Sequence, residues 1–348
     1  MSTPVEPPPE ETLENAIELK DVEGLSQGQI VRRRFLRHRG AMAGLVTLAL
    51  IALIAYTSIG ALGLPGWWKW THTDPGAIVN SGSPSLSLPS WLGGSGFAIG
   101  DHPFGQDEVG RDIFARTMKG TQTSLNVMMV ISLLAALIGM TIGAVSGYFR
   151  GWIDEFLMRF TDLFITFPVI VIGAVLGNFA GNAGAFWLAV ALGAITWTTL
   201  ARLVRGEFLS LREREFVDAA KVAGASSFRI MRKHMIPNAM GVIIVNTTLL
   251  ASTAVLLETA LSYLGFGIKS PDVSLGTMIS QYQSAFATRP WLFWWPGLFI
   301  VMIALSVNFI GDGLRDAFDP RQKRVPSQRA MDKALHASLA EAEQKAKS

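Results

Sequence analysis

Glu258 closes one long uncharged stretch of the chain, residues 235–257, and Asp162 opens another, residues 163–201. A carboxylate at such a place is a candidate for ion, proton or solute handling, because burying its charge in hydrocarbon is costly. The plainer reading is a structural partner at a helix end, and the two readings stay open. Ser262 and Tyr263 follow Glu258 within two helical turns. Ala254 lies one turn earlier on the same face and is small enough to let a neighbouring helix approach. Asp162, Glu258, Ser262 and Tyr263 are therefore the candidates for a translocation path or its gate. Covalent and metal chemistry have little to work with. There is no cysteine, and the histidines (His38, His72, His102, His234, His336) share no ligand spacing. No GK[ST], HExxH or GxSxG motif occurs, so an ATP site of the usual kind is not expected on this chain.

The elements that would position these residues are membrane helices. Half of the residues are hydrophobic, only 16% are charged, and the mean hydropathy is +0.35. A soluble domain carries nearer a quarter charged residues. The net charge of +3 is small and the basic residues sit in loop clusters, which reads as membrane orientation rather than nucleic-acid binding. A span needs about 20 apolar residues. Residues 40–66, 121–149, 235–257 and 291–311 supply four spans. The uncharged stretch 163–201 is too long for one and carries GNFAGNAG at 177–184, a turn composition, so it reads as two spans joined by a hairpin. The expectation is an all-α polytopic membrane protein with six transmembrane helices. No cleavable signal peptide is expected, since the first apolar run is too long for one.

Six spans put both termini on one side. Arg32, Arg33, Arg34, Arg37 and Arg39 precede the first span, and Arg315, Arg321, Lys323 and Arg324 follow the last. The loop between spans four and five carries a further basic cluster from Arg202 to Lys233. The positive-inside rule then makes both termini and this loop cytoplasmic. Residues 1–39 form an N-terminal tail, expected to be disordered over 1–31, where Pro and Glu abound. Residues 40–66 are the first span and 67–120 an extracytoplasmic segment. Within that segment Arg111, Arg116 and Lys119 are expected on an interfacial helix paired with Asp107, Glu108 and Asp112. A Trp-rich stretch with Trp67, Trp68, Trp70 and Trp91 also falls there. Residues 121–314 are the core with five spans, and 315–348 a C-terminal tail.

Between spans four and five, residues 206–234 form a charged loop, and the stretch EFVDAAKVAGASSFRIMRKHMIPN at 215–238 runs from it into the start of span five. On a helix, Ala219 and Ala223 share a face, as do Ala220 and Gly224, which gives a small-residue surface for close approach of another body. Gly224 interrupts the helix at a cost of about 1 kcal/mol, so the segment reads as helix, bend, helix. Pro237 is placed where a helix start tolerates it. Phe216, Phe228 and Ile230 are expected apolar anchors. The bland reading is an amphipathic helix lying on the membrane.

The spacing of Asp218, Ala219, Ala220, Gly224, Ile236 and Pro237 resembles the EAA loop of the permease subunits of bacterial ABC importers. Asp218 stands where that family mostly has Glu. HPFGQDEVGRD at 102–112, ALSYLGFG at 260–267, GDGLRDAFDPR at 311–321 and His234 are similar to the C-type permease of dipeptide and oligopeptide importers. The resemblance implies a type I importer fold in the bacterial inner membrane. It implies an ATPase-coupling role for Phe216, Asp218, Ala219, Ala220, Ala223, Gly224, Ala225, Ile230, His234, Ile236 and Pro237. It also implies a homologous B-type permease, two cytoplasmic ABC ATPases that hold the ATP and Mg, an extracytoplasmic solute-binding protein and membrane lipid as partners. No nucleic acid and no cofactor on this chain are implied. A related importer for nickel chelates, glutathione or another small solute is the alternative within the class. An ATP-independent channel or scaffold is the alternative outside it.

Overall fold

The computed structural model describes residues 26–61, 63–87 and 96–319. Trp91, Arg321, Lys323, Arg324 and the expectations for residues 1–25 and 320–348 lie outside the described residues. Residues 40–312 make one compact unit, and the chain ends make a second. In the second unit α1 (Gln27–Arg37) starts at Ser26, whose side chain and that of Gln29 close a reciprocal cap. This is a correction, because residues 27–31 were expected to be disordered. Arg34 donates to the Asp319 carbonyl at 3.0 Å.

In the main unit, α2 (Arg39–Ser58) is the first apolar helix. It stops short of the expected residue 66, since Gly60 takes a φ of +77° and turns the chain into a two-strand hairpin, β1 (Gly60–Ala61) with β2 (Leu64–Pro65). α3 (Ile113–Phe149) is 37 residues long. The separate interfacial helix is not present. Arg116 and Lys119 lie within the first two turns of α3, and Arg111 pairs with Asp107 at 2.6 Å in the loop before it. The physical reason is the cap: Asp112 accepts from the Ala115 backbone N–H at 2.8 Å and starts the helix there, and Arg116 is held by the Gln281 side chain at 3.0 Å and the His72 carbonyl at 3.4 Å.

The third and fourth apolar segments are each a bent pair. α4 (Gly151–Thr166) and α5 (Val169–Ala180) meet at 83° across Phe167-Pro168. α6 (Ala185–Gly193) and α7 (Thr198–Arg212) meet at 40°. The hairpin expected at 177–184 is present as the end of α5, a short 3₁₀ turn over Gly181–Ala183 and the start of α6. The third segment begins at Gly151 rather than Leu163, so Asp154, Glu155, Arg159 and Asp162 are inside it. Among the described residues, four helices are singly long and apolar enough to cross a membrane, and the count reaches 6 with each bent pair taken as one span.

α8 (Glu215–Val222), α9 (Ser227–Ile230), a π-helical turn over Met231–Met235 and α10 (Ile236–Tyr263) follow. α11 (Leu275–Tyr282) is capped by Ser274, and α12 (Trp291–Phe318) ends the described chain. Packing is closest between α3 and α7. Gly139, Gly143 and Gly147 repeat every four residues along one face of α3. A Cβ on Gly139 would stand 2.8 Å from the Trp197 carbonyl, and one on Gly147 would stand 2.6 Å from Phe208 Cβ. The absent side chains are what lets α7 lie against the α3 backbone, as is usual where helices associate without a hydrophobic driving force.

Candidate functional site

Two sites carry the residues singled out above. The first is the 215–237 segment. Gly224 has a φ of +77°, a left-handed conformation that side chains with a Cβ rarely adopt. It ends α8 and turns the chain into the Ser226 cap of α9, whose side chain accepts from the Arg229 N–H. Asp218, Ala219, Ala223 and Gly224 are exposed; Ala220, Ala225 and His234 are half-buried. A Cβ on Gly224 would meet nothing within 4 Å, so the space beside it is open. Asp218 pairs with Lys221 at 2.9 Å on the surface.

The segment is held from beneath. Val217, Ile230 and Met235 are fully buried and pack with Tyr148, Val204, Phe208 and Ile243. Of the three expected anchors only Ile230 is one. Phe216 is 38% exposed because the α8 register turns Val217 inward instead, and Phe228 is 68% exposed on α9, which buries Ile230. Val222 is 90% exposed beside them. Large apolar side chains are thus left exposed around a small-residue patch. Ile236 and Pro237 begin α10, where the missing proline N–H leaves no helix bond unmade.

The second site surrounds Glu258. Its carboxylate is fully buried. Ser124 Oγ of α3 donates to Oε2 at 3.0 Å and Ser262 Oγ donates to Oε1 at 2.7 Å. Ser262 Oγ in turn accepts from the Ile268 N–H at 3.1 Å. The knot therefore ties α10 to α3 and to the turn after α10. Gly120 and Gly276 admit α11 to the same place, since Cβ atoms there would stand 3.0 Å from the Leu275 nitrogen and 2.7 Å from the Thr259 carbonyl oxygen. Tyr263 faces outward, its hydroxyl donating to Gln283 at 2.7 Å. Asp162 is not near Glu258's contacts; it pairs with Arg202 of α7.

The 102–112 stretch forms a third polar centre that the sequence reading did not resolve. His102 Nδ1 and Asp112 Oδ1 are 2.8 Å apart, and Trp68 Nε1 donates to Asp112 Oδ2 at 2.9 Å. Trp70 stacks on His102. Asp107, 1% exposed, accepts from the Tyr282 hydroxyl at 3.0 Å as well as from Arg111. Burial pushes the Tyr282 phenol well above its ordinary value. These residues brace the segment before α3 against α11.

The comparisons with known proteins show the family to which this helical body with its exposed helix–bend–helix loop belongs. Residues 139–324 match the family of binding-protein-dependent transport system inner membrane components, and residues 26–72 match the N-terminal TM domain of oligopeptide transport permease C. The protein named oligopeptide transport system permease protein OppC in Mycobacterium tuberculosis is 37% identical over 301 residues, covering 86% of this chain and 97% of that one. Its namesake in Haemophilus influenzae is 36% identical over 313 residues, covering 90% and 94%. A solved inward-facing structure of the MetNI methionine ABC transporter is 20% identical, covers 59% of this chain and 97% of that one, and superposes with a TM-score of 0.48. The chain belongs to the binding-protein-dependent transport system inner membrane component family.

Proposed function

We propose that this chain is the C-type permease subunit of an ATP-driven peptide importer of the bacterial inner membrane, with both termini cytoplasmic. It forms half of a translocation path with a homologous B-type permease. Two cytoplasmic ATPases bind ATP and Mg and dock on the 215–235 segment, and an extracytoplasmic solute-binding protein delivers the peptide. The observation that carries this reading is the exposed small-residue surface of Asp218, Ala219, Ala223 and Gly224, mounted on buried Val217, Ile230 and Met235. The names of the relatives support the peptide. Motion of the docked ATPases shifts α8, which a short turn joins to α7 and which the Gly224 bend, α9 and the π-helical turn join to α10. Those helices open the path alternately to either side.

The test is reconstitution of the four-part transporter with its binding protein in vesicles. Uptake of a labelled oligopeptide is expected only with ATP and binding protein together. Peptide flux that continues without the ATPases would instead indicate a channel, and flux of a small chelate but no peptide would redirect the assignment within the family.

A further inference from the structure

The basic face of α7 does more than orient the chain. Arg205 makes a forked contact with Asp154 of α4, Nε to Oδ1 at 2.6 Å and Nη2 to Oδ2 at 2.7 Å. Ser146 also donates to Asp154. Arg202, three residues away on the same face, pairs with Asp162, and Glu213 at the end of α7 takes Arg150 at 2.5 Å. Two ion pairs thus join α4 to α7, and a third joins the residues that flank them, Arg150 before α4 and Glu213 after α7. Arg212 adds a hydrogen bond at 2.5 Å to the Tyr148 carbonyl, at the α3–α4 junction. That junction is itself unusual: Arg150 holds a φ of +57° with a side chain attached.

All three pairs lie on one side of two bends. α4 breaks from α5 at Phe167-Pro168, and α7 breaks from α6 between Gly193 and Thr198. Beyond those bends α5 and α6 carry no charged residue at all. Between the two breaks and α10 lies a cavity of about 570 Å³, bordered by Phe167, Pro168, Ile195, Thr199, Asn246 and Thr253. One part of the segment is tied by ion pairs between its helices; the other is held by apolar packing and by two contacts from the turn after α10, Lys269 to Asn178 at 3.3 Å and the Ala185 N–H to Asp272 at 3.1 Å, and the open space sits where the two parts meet.

We propose that α4 travels with α7 as one lever, and that Asp154 and Arg205 are the positioning residues that fasten it. The proposal rests on the transporter reading above. Displacing α8 then moves both helices together, and the two bends beside the cavity absorb the motion. The Asp154–Arg205 pair is half-buried, its side chains 15% and 34% exposed, so its loss is read as transmission of motion only in complexes that assemble in normal amount.

The experiment uses the complete reconstituted transporter and measures peptide imported per ATP hydrolysed. Asp154→Asn and Arg205→Gln are each expected to lower that ratio by about tenfold, a coupling change of ordinary size for a two-state element. Basal ATP hydrolysis and assembly should persist. The exchanged pair Asp154→Arg with Arg205→Asp should recover most of the loss. Normal ratios in both single variants, or an exchanged pair no better than either single variant in a normally assembled complex, would overturn the proposal. A second arm leaves Asp154 and Arg205 intact. The chain has no native cysteine, so Asp162→Cys with Arg202→Cys can be bridged by a short bifunctional thiol reagent. Transport should survive the bridge; a block by the bridge would mean that α4 and α7 separate during the cycle, against the proposal. A wild-type complex with no peptide-stimulated hydrolysis would count against the transporter reading itself, whereas a coupled wild type with indifferent variants would count only against the lever.

Discussion

Gly224→Val is expected to give a protein that inserts and accumulates normally but transports at no more than about a hundredth of the wild-type rate, with peptide-stimulated ATP hydrolysis lost. The left-handed backbone at Gly224 costs a residue with a Cβ about 1–2 kcal/mol, and a branched one more. No neighbour in the chain lies within 4 Å of the new Cβ, so the fold has no clash to relieve. The penalty falls on the bend and on the face offered to a partner. Gly224→Asn separates these effects, because asparagine tolerates the left-handed region. An Asn variant that also loses transport would place the fault in close approach; one that works would place it in the bend. Normal uptake by the Val variant at normal abundance would end the docking assignment for this segment.

The second large effect is at Glu258. Glu258→Ala is expected to lower the melting temperature of the purified complex and to uncouple hydrolysis from uptake. It opens a void and leaves Ser124 and Ser262 without their acceptor in a dry place. Together these should destabilise by about 2–4 kcal/mol, given that single hydrogen bonds between membrane helices contribute little alone. Glu258→Gln preserves the shape and one acceptor oxygen, and its amide can donate to a serine. It is expected to keep transport within a few-fold of wild type. Equal loss of uptake in the Gln variant, strongest for cationic peptides, would mean that the carboxylate meets solute and that its hydrogen bonds to α3 are secondary. The burial of the carboxylate and its two serine donors favour the structural role.

The helical class and the α5–α6 hairpin were legible in the sequence, because charge-free length and the GNFAGNAG composition report on bilayer thickness and turns directly. The bend at Gly224 was legible for the same local reason. The 83° break at Phe167-Pro168 had a visible proline but was hidden inside an unbroken apolar run. The extension of α3 through Arg116 and Lys119 was missed because charge was read as a helix boundary, whereas the Asp112 cap sets it. Gly139, Gly143 and Gly147 showed their spacing openly, yet which helix they admit depends on tertiary contact. The same holds for Glu258: its partner Ser124 is 134 residues away, and nothing local announces it. Phe216 and Val217 differ by one position, and only the α8 register decides which of them is buried.

Contact between the α8 face and an ATPase on the cytoplasmic side is the central requirement of the coupling role. Ala219→Cys places a single thiol on that exposed face of a chain that has no other. In native membranes, a short thiol-to-amine crosslinker is expected to join it to an ATP-binding subunit, with a yield that changes when nucleotide is added. Impermeant thiol reagents outside intact cells should leave it unlabelled. Labelling from outside, or crosslinks to lipid-embedded protein but never to an ATPase, would contradict both the orientation and the coupling role.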